Sequence, residues 1–200
     1  MTDLIDRTHF QELSERDPHD VCKRASCKYD EMNELYILSV WGDEYGIFPN
    51  QFKIKCIDNN TENLHDYFSL FIIHYLLKSK EIEISNEWIS EKDIPGGTTF
   101  FRGPHEIPTN LISHRFRNNI NGFNDRCEQL HGIPLNMADS SYSFQITPRI
   151  PVSVLYWRGD DDFPSESKIL YDRTITEHLA SDIIYALAVG ICERLGKSLG

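Results

Sequence analysis

Tyr67 to Leu77 is the stretch that most restricts what this chain can fold into, because only Ser69 and His74 interrupt its apolar residues. A helix that is apolar on every side cannot lie on a surface, so the rest of the chain has to enclose it. Lys78 and Lys80 follow it and suit the negative end of its dipole. The pattern predicts a buried helix over 64–79, with Asn63 as its N-cap. A second buried helix is expected over 177–195. Thr174-x-x-Glu177 has the form of a capping box, and Leu179, Ile183, Leu187, Ile191 and Leu195 recur at four-residue spacing. No charge falls between Ile183 and Cys192, and Gly196 stands where a helix commonly ends.

Around these two helices the chain reads as short strands and lesser helices. Residues 4–15 carry a modest helical pattern, and Asp17-Pro18 marks an N-cap with proline in the first turn, opening a helix through about Ala25. Leu35–Trp41, a Gly42-Asp43 turn and Glu44–Phe48 form a hairpin, which Phe52, Ile54 and Cys56, alternating with lysines, extend to a three-stranded meander. A helical region runs from Thr109 to about Leu130, with a break expected near Asn118–Gly122. Strands return at Tyr142–Ile146, Val152–Trp157 and Lys168–Tyr171. Strands at hairpin spacing, rather than alternating with helices, indicate a single α+β domain with antiparallel strands packed on the buried helices.

Charge and cysteine usage narrow the setting. Against 20 basic residues stand 31 acidic ones, a net charge of −11, which argues against nucleic acid and against a polybasic membrane anchor. No basic and apolar leader opens the sequence, and no apolar run approaches the ~20 residues of a membrane-spanning helix. A cytoplasmic protein is expected. Cys22, Cys27, Cys56, Cys127 and Cys192 are odd in number and scattered, which reads as reduced thiols. Cys22-x4-Cys27 is the one close pair, and it lacks the two further cysteines of an iron–sulfur ligand set.

Candidate site residues come from loops after β-rich segments. Arg102 in Phe100-Phe101-Arg102-Gly103-Pro104-His105 offers a planar fork for a carboxylate or phosphate, or else pairs with a surface acid. Arg149, Trp157 and Asp160 are expected to converge with Arg102 and His105 on one concave face, where two guanidinium groups in an acidic chain would attract an anion. The carboxylates Asp160-Asp161-Asp162, with Asp172 further on, could share a proton or hold a cation, or simply form a solvated loop with Asp172 capping a turn. His74 on the apolar helix must satisfy its ring nitrogens through a core partner or a ligand. No Walker A loop, nucleophile elbow, H-E-x-x-H or G-x-G-x-x-G occurs. Cys127 and His131 share a helical face without any neighbouring oxyanion hole.

The segments His74-Tyr75-Leu76-Leu77, Glu87-Trp88-Ile89-Ser90, Pro95-Gly96-Gly97 leading to Phe100-Phe101, Pro148-Arg149-Ile150-Pro151, Trp157-x-x-Asp160-x-x-Phe163-Pro164 and Leu170-x-Asp172 resemble, in order and spacing, a prokaryotic family of anaerobes known as domain of unknown function 3786. The resemblance covers about residues 20–195. It implies an anaerobic setting and one domain, and no established activity. The cysteine-rich iron–sulfur segment of some relatives is missing here.

Without a reaction motif, these residues favour a small-molecule or cofactor-binding module with an anionic ligand. The alternatives are an accessory protein for redox or corrinoid enzymes, which would expose an apolar patch, and an enzyme with an acid–base pair drawn from Asp160 or Asp172 and His105 or His178. The sequence names no cofactor. Protein purified under reductant-free anaerobic conditions and then denatured should titrate five thiols; a stable count of three or one would contradict the reduced assignment.

Overall fold

The computed structural model describes residues 5–57 and 65–197, which form eight α-helices and two antiparallel sheets. The N-terminal part follows the sequence closely. Helix α1 (Arg7–Ser14) starts at Asp6, which accepts from Thr8 N, and α2 (Pro18–Ala25) starts at Asp17, which accepts from His19 N. The first sheet has the order β1 (Lys28–Asp30), β2 (Leu35–Val40), β3 (Asp43–Phe48), β4 (Lys53–Cys56). The expected meander thus gains a fourth, outer strand, whose Lys-Tyr-Asp sequence carries no alternation that would mark it. The hairpin turn is Trp41-Gly42, one residue earlier than the Gly42-Asp43 pattern indicates, since Val40 pairs with Asp43.

The second sheet runs β5 (Trp88–Ile89), β9 (Glu166–Asp172), β8 (Ile150–Trp157), β7 (Ser140–Thr147), β6 (Ile133–Leu135). Its three long strands match the expected ones, and the two short edges, with a proline in β6, were not legible. Between the sheets in sequence lie α3 (Asp66–Lys78), α4 (Gly97–Phe100), α5 (Asn110–Phe116) and α6 (Ile120–Gln129). The break expected near Asn118–Gly122 is real: Asn119 caps α6 by accepting from Gly122 N at 2.9 Å. The chain closes with α7 (Ile175–His178) and α8 (Ser181–Gly196). The N-cap expected at Asn63 lies outside the described residues, and His65 accepts from Tyr67 N at the start of α3.

Helices α3 and α8 pack together at the centre, and buried side chains of both sheets and most helices join one continuous core with them. The architecture is α+β, with the two apolar helices as its middle. They meet closely at Phe68 of α3 and Gly190 of α8, where a Cβ would stand only 3.0 Å from Phe68 Cβ and Cγ, and nearer still to the ring edge. Gly190→Ala gains about 1 kcal/mol of helix propensity but overpacks this crossing by about 1–3 kcal/mol. A net fall in stability is expected, measurable as a lower urea midpoint. A rise would show that the two helices are not held at that distance.

Candidate functional site

Asp172, the last residue of β9, decides how the chain enters its final helices. Its carboxylate is 2% exposed and accepts from Ser85 N (3.0 Å), Ser85 Oγ (2.9 Å), Asn86 N (2.7 Å), Thr174 N (3.0 Å) and Thr174 Oγ1 (2.7 Å). Burial pushes its pKa up, and the hydrogen bonds from Thr174 and Ser85 together outweigh burial and hold it below the usual carboxylate range. With its hydroxyl committed to Asp172, Thr174 does not cap the helix, so the expected capping box is not formed. Helix α7 ends at His178, Leu179 turns extended (φ −132°, ψ 143°), and α8 restarts at Ser181 with Ala180 as its N-cap. One helix expected over 177–195 is therefore two. The apolar stripe hides the break because Leu179 and Ile183 are both buried on either side of it.

A cleft of about 550 Å³ opens at this break, lined by His74, Lys78, Lys80, Glu177, His178 and Asp182 among others. Alanine cannot cap a helix with its side chain, and the first turn of α8 has no side-chain cap. The positive end of a 16-residue helix thus meets the cleft. His178 is 3% exposed, and its Nδ1 accepts from Lys80 N at 3.1 Å. A ring nitrogen that accepts is unprotonated, so the neutral ring carries its proton on Nε2. That buried Nε2 has no partner among the described residues. Burial, with the nearby charges of Arg149 and Lys80, pulls its pKa down to about 4.

His74 is half-buried in the same lining, its ring edge-on to His9 at 4.5 Å. Burial and then His9 pull its pKa down to about 4, against the opposing pull of Asp182. Among the described residues the two lysines pair at the surface, Lys78 with Glu12 at 3.4 Å and Lys80 with Glu177 at 3.0 Å. An aromatic row continues along the same helix faces, since Tyr67 lies two turns from His74 and Tyr185 one turn from Asp182. Tyr185 meets Tyr67 (6.1 Å) and His105 (5.4 Å), and His105 stacks on Phe100 at 4.5 Å.

The residues nominated from sequence have different local partners. Arg102 and His105 are exposed in one turn, beside Phe100 and Tyr185. Arg149 is held elsewhere: its Nε donates to Arg24 O (2.6 Å), Nη1 to Ile82 O (3.1 Å) and Nη2 to Lys23 O (3.2 Å). It closes the C-terminus of α2, the end of a helix where a cation is favoured. Trp157 ends β8 opposite Glu166. Asp160 folds its own loop, accepting from Asp162 N (2.9 Å) and Phe163 N (2.8 Å). Arg149 and Asp172 share a different task, since both bind the segment 80–86, which His178 also holds at Lys80. Cys127 is fully buried, so its pairing with His131 offers no reactive thiol. Among the described residues no group of three or more His, Cys, Asp or Glu could hold a metal ion, and no helix is long and apolar enough to cross a membrane. Of the cleft residues, the sequence offers His178 as an acid–base candidate, whereas Ala180 and Asp182 carry no local signal, since their place in the cleft depends on the helix break before α8.

The cleft histidines make stability depend on acid. The unfolded chain binds a proton near 6.5, while folded His74 and His178 do so only near 4. Stability is therefore full above about pH 6.5 and falls as pH drops towards 4, each fully linked proton adding a slope of up to about 1.4 kcal/mol per pH unit. Protonated His178 would also turn a donor towards the Lys80 N–H. Asp172 adds a further loss only below about 3.8, where its unfolded form starts to gain protons. Urea midpoints measured from pH 7 to 4 should fall steadily, and His178→Gln should flatten part of the slope. An unchanged slope in that variant would show that His178 titrates freely in the fold.

No curated protein and no solved structure matches the chain. A family model, Domain of unknown function (DUF3786), matches residues 17–194. That span takes in both sheets, the cleft and every residue nominated above, and on it the chain belongs to the DUF3786 family.

Proposed function

We propose that this protein is a small-molecule-binding module whose ligand carries a carboxylate or phosphate, seated in the cleft at the start of α8. The observation that carries this reading is the uncapped N-terminus of a long helix opening on a concave, lysine-rimmed site. First-turn N–H groups and the dipole behind them favour an anion. Lys78 and Lys80 can turn to it at little cost, because exposed ion pairs such as theirs are worth about 0–1 kcal/mol. The acids Glu177 and Asp182 limit the charge that fits, which favours a small anion over a polyanion. Arg102 and His105, beyond the aromatic row, are the sequence-nominated residues best placed to contact a longer ligand. With five free thiols and a net charge of −11, a cytoplasmic setting without nucleic acid is part of the proposal.

Catalysis by a histidine–carboxylate pair is the weaker reading. His74 and Asp182 line one cleft, but an acid–base group works best with a pKa near the operating pH. At about 4, both cleft histidines stay neutral and are poor bases. Neutral histidines do suit a binding site as hydrogen-bonding groups, and His178 has its tautomer fixed by the Lys80 N–H.

Thermal-shift and calorimetric titration with inorganic phosphate, succinate and citrate tests the proposal. At least one should bind saturably, raising stability by about 2.7 kcal/mol at a hundredfold excess over Kd. The Lys78→Ala/Lys80→Ala protein should bind roughly tenfold more weakly with an unchanged unfolding midpoint in the absence of ligand. No saturable binding of any of the three at millimolar concentration, or equal binding by the variant, would overturn it.

A further inference from the structure

The end of α2 holds a pair of thiols that the cleft does not use. Ser26, after the last residue of α2, is left-handed (φ 52°), and both Ser26 N and Cys27 N donate to Cys22 O, the latter at 3.1 Å. Such a six-residue closure brings the side chain after the left-handed residue onto the one in the last helical turn, normally as a hydrophobic contact. Here the contact is between two sulfurs. Cys27 Sγ donates to Cys22 Sγ at 3.8 Å, and both residues are half-buried, within reach of small reagents.

We propose that Cys22 and Cys27 are a two-electron dithiol–disulfide couple, oxidised by thiol–disulfide exchange with a low-molecular-weight disulfide. The thiolate of Cys22 attacks one sulfur of the reagent, forming a mixed disulfide and expelling one reagent thiolate. The thiolate of Cys27 then attacks Cys22 Sγ, forming the internal disulfide and expelling the second. The protein loses two electrons, the reagent gains them, and the two cysteine protons end on the two released thiols. A disulfide sulfur pair stands about 2.05 Å apart, so closure asks each sulfur to move by roughly 1 Å. The backbone is already in place: Arg149 grips Lys23 O and Arg24 O, fixing the turn on which the ring closes.

Cys22 is the attacking thiol because it accepts the hydrogen bond from Cys27. Burial raises the pKa of both thiols, Cys27 the more strongly. The couple therefore responds slowly at neutral pH and faster in alkali, as suits a sensor of sustained oxidation rather than a turnover catalyst.

The test exposes the reduced native protein to excess glutathione disulfide at pH 8, quenches with acid, alkylates and digests with trypsin. Cleavage after Lys23 and Arg24 separates the two cysteines, so only a disulfide keeps their peptides together. The expected result is loss of two thiols, linked Cys22 and Cys27 peptides, and no retained glutathione. Cys27→Ser should instead hold one stable glutathione on Cys22. A wild-type protein that keeps the glutathione on Cys22, or whose two thiols remain unreacted while those of the denatured chain are consumed, would overturn the proposal.

Discussion

Trp41 is the residue on which the two halves of the fold depend. It occupies the left-handed region (φ 51°) at the tip of the β2–β3 hairpin, beside Gly42 (φ 87°). Two consecutive positive φ values give the turn whose twist suits a two-residue hairpin, but a bulky side chain there is strained by about 1 kcal/mol or more. Tertiary contacts hold it. Trp41 N donates to Ile146 O in the second sheet (2.8 Å) and Nε1 to Leu130 O (2.9 Å). Its ring packs on Phe144 and Phe68, with the Arg194 guanidinium 5.1 Å from its centroid and paired to Asp43 at 2.8 Å. One side chain thus joins the first sheet to the second, to α3 and to α8. A local turn signal reading Gly42-Asp43 cannot register a tryptophan whose conformation is set by elements a hundred residues away.

The same logic explains the polar residues. The chain from Ser79 to Glu87 has almost no regular structure, so many of its amides and carbonyls are met by side chains. Arg24 takes Ser79 O, His178 takes Lys80 N, Arg149 takes Ile82 O, and Asp172 takes the amides of Ser85 and Asn86. Arg173 pairs with the Glu87 carboxylate through two 2.5 Å bonds. Read along the sequence, an arginine or aspartate after a strand is equally suited to an anion, a cation or a stretch of irregular backbone. Arg149 and Asp172 turn to backbone, and nothing in their own neighbourhood in the sequence distinguishes that outcome.

What was legible follows from local physics. The Asp17-Pro18 start of α2, the apolar girth of α3 and the alternation in β4 each depend on residues within one element, and each appears where the sequence puts it. The α8 stripe was legible as burial but not as continuity. Leu179 and Ile183 are buried whether the backbone between them is helical or extended, so periodicity is blind to the break.

That blindness fell on the start of a 16-residue helix that has no side-chain cap. Had Thr174 capped a single helix, its positive end would lie back at β9 and be satisfied there. Asp172 takes both the hydroxyl and the amide of Thr174, as well as the Ser85 and Asn86 amides. One carboxylate thereby fixes an irregular segment and the entry to α7, and α8 restarts at Ser181 after the extended Leu179. The restart brings a fresh set of helix-terminal amides, with alanine at the cap, up against lysines carried by the end of α3 and the segment after it. Under the proposed reading, the first-turn amides of α8 are the donors an anion would meet there, since a helix start without a side-chain cap favours negative charge.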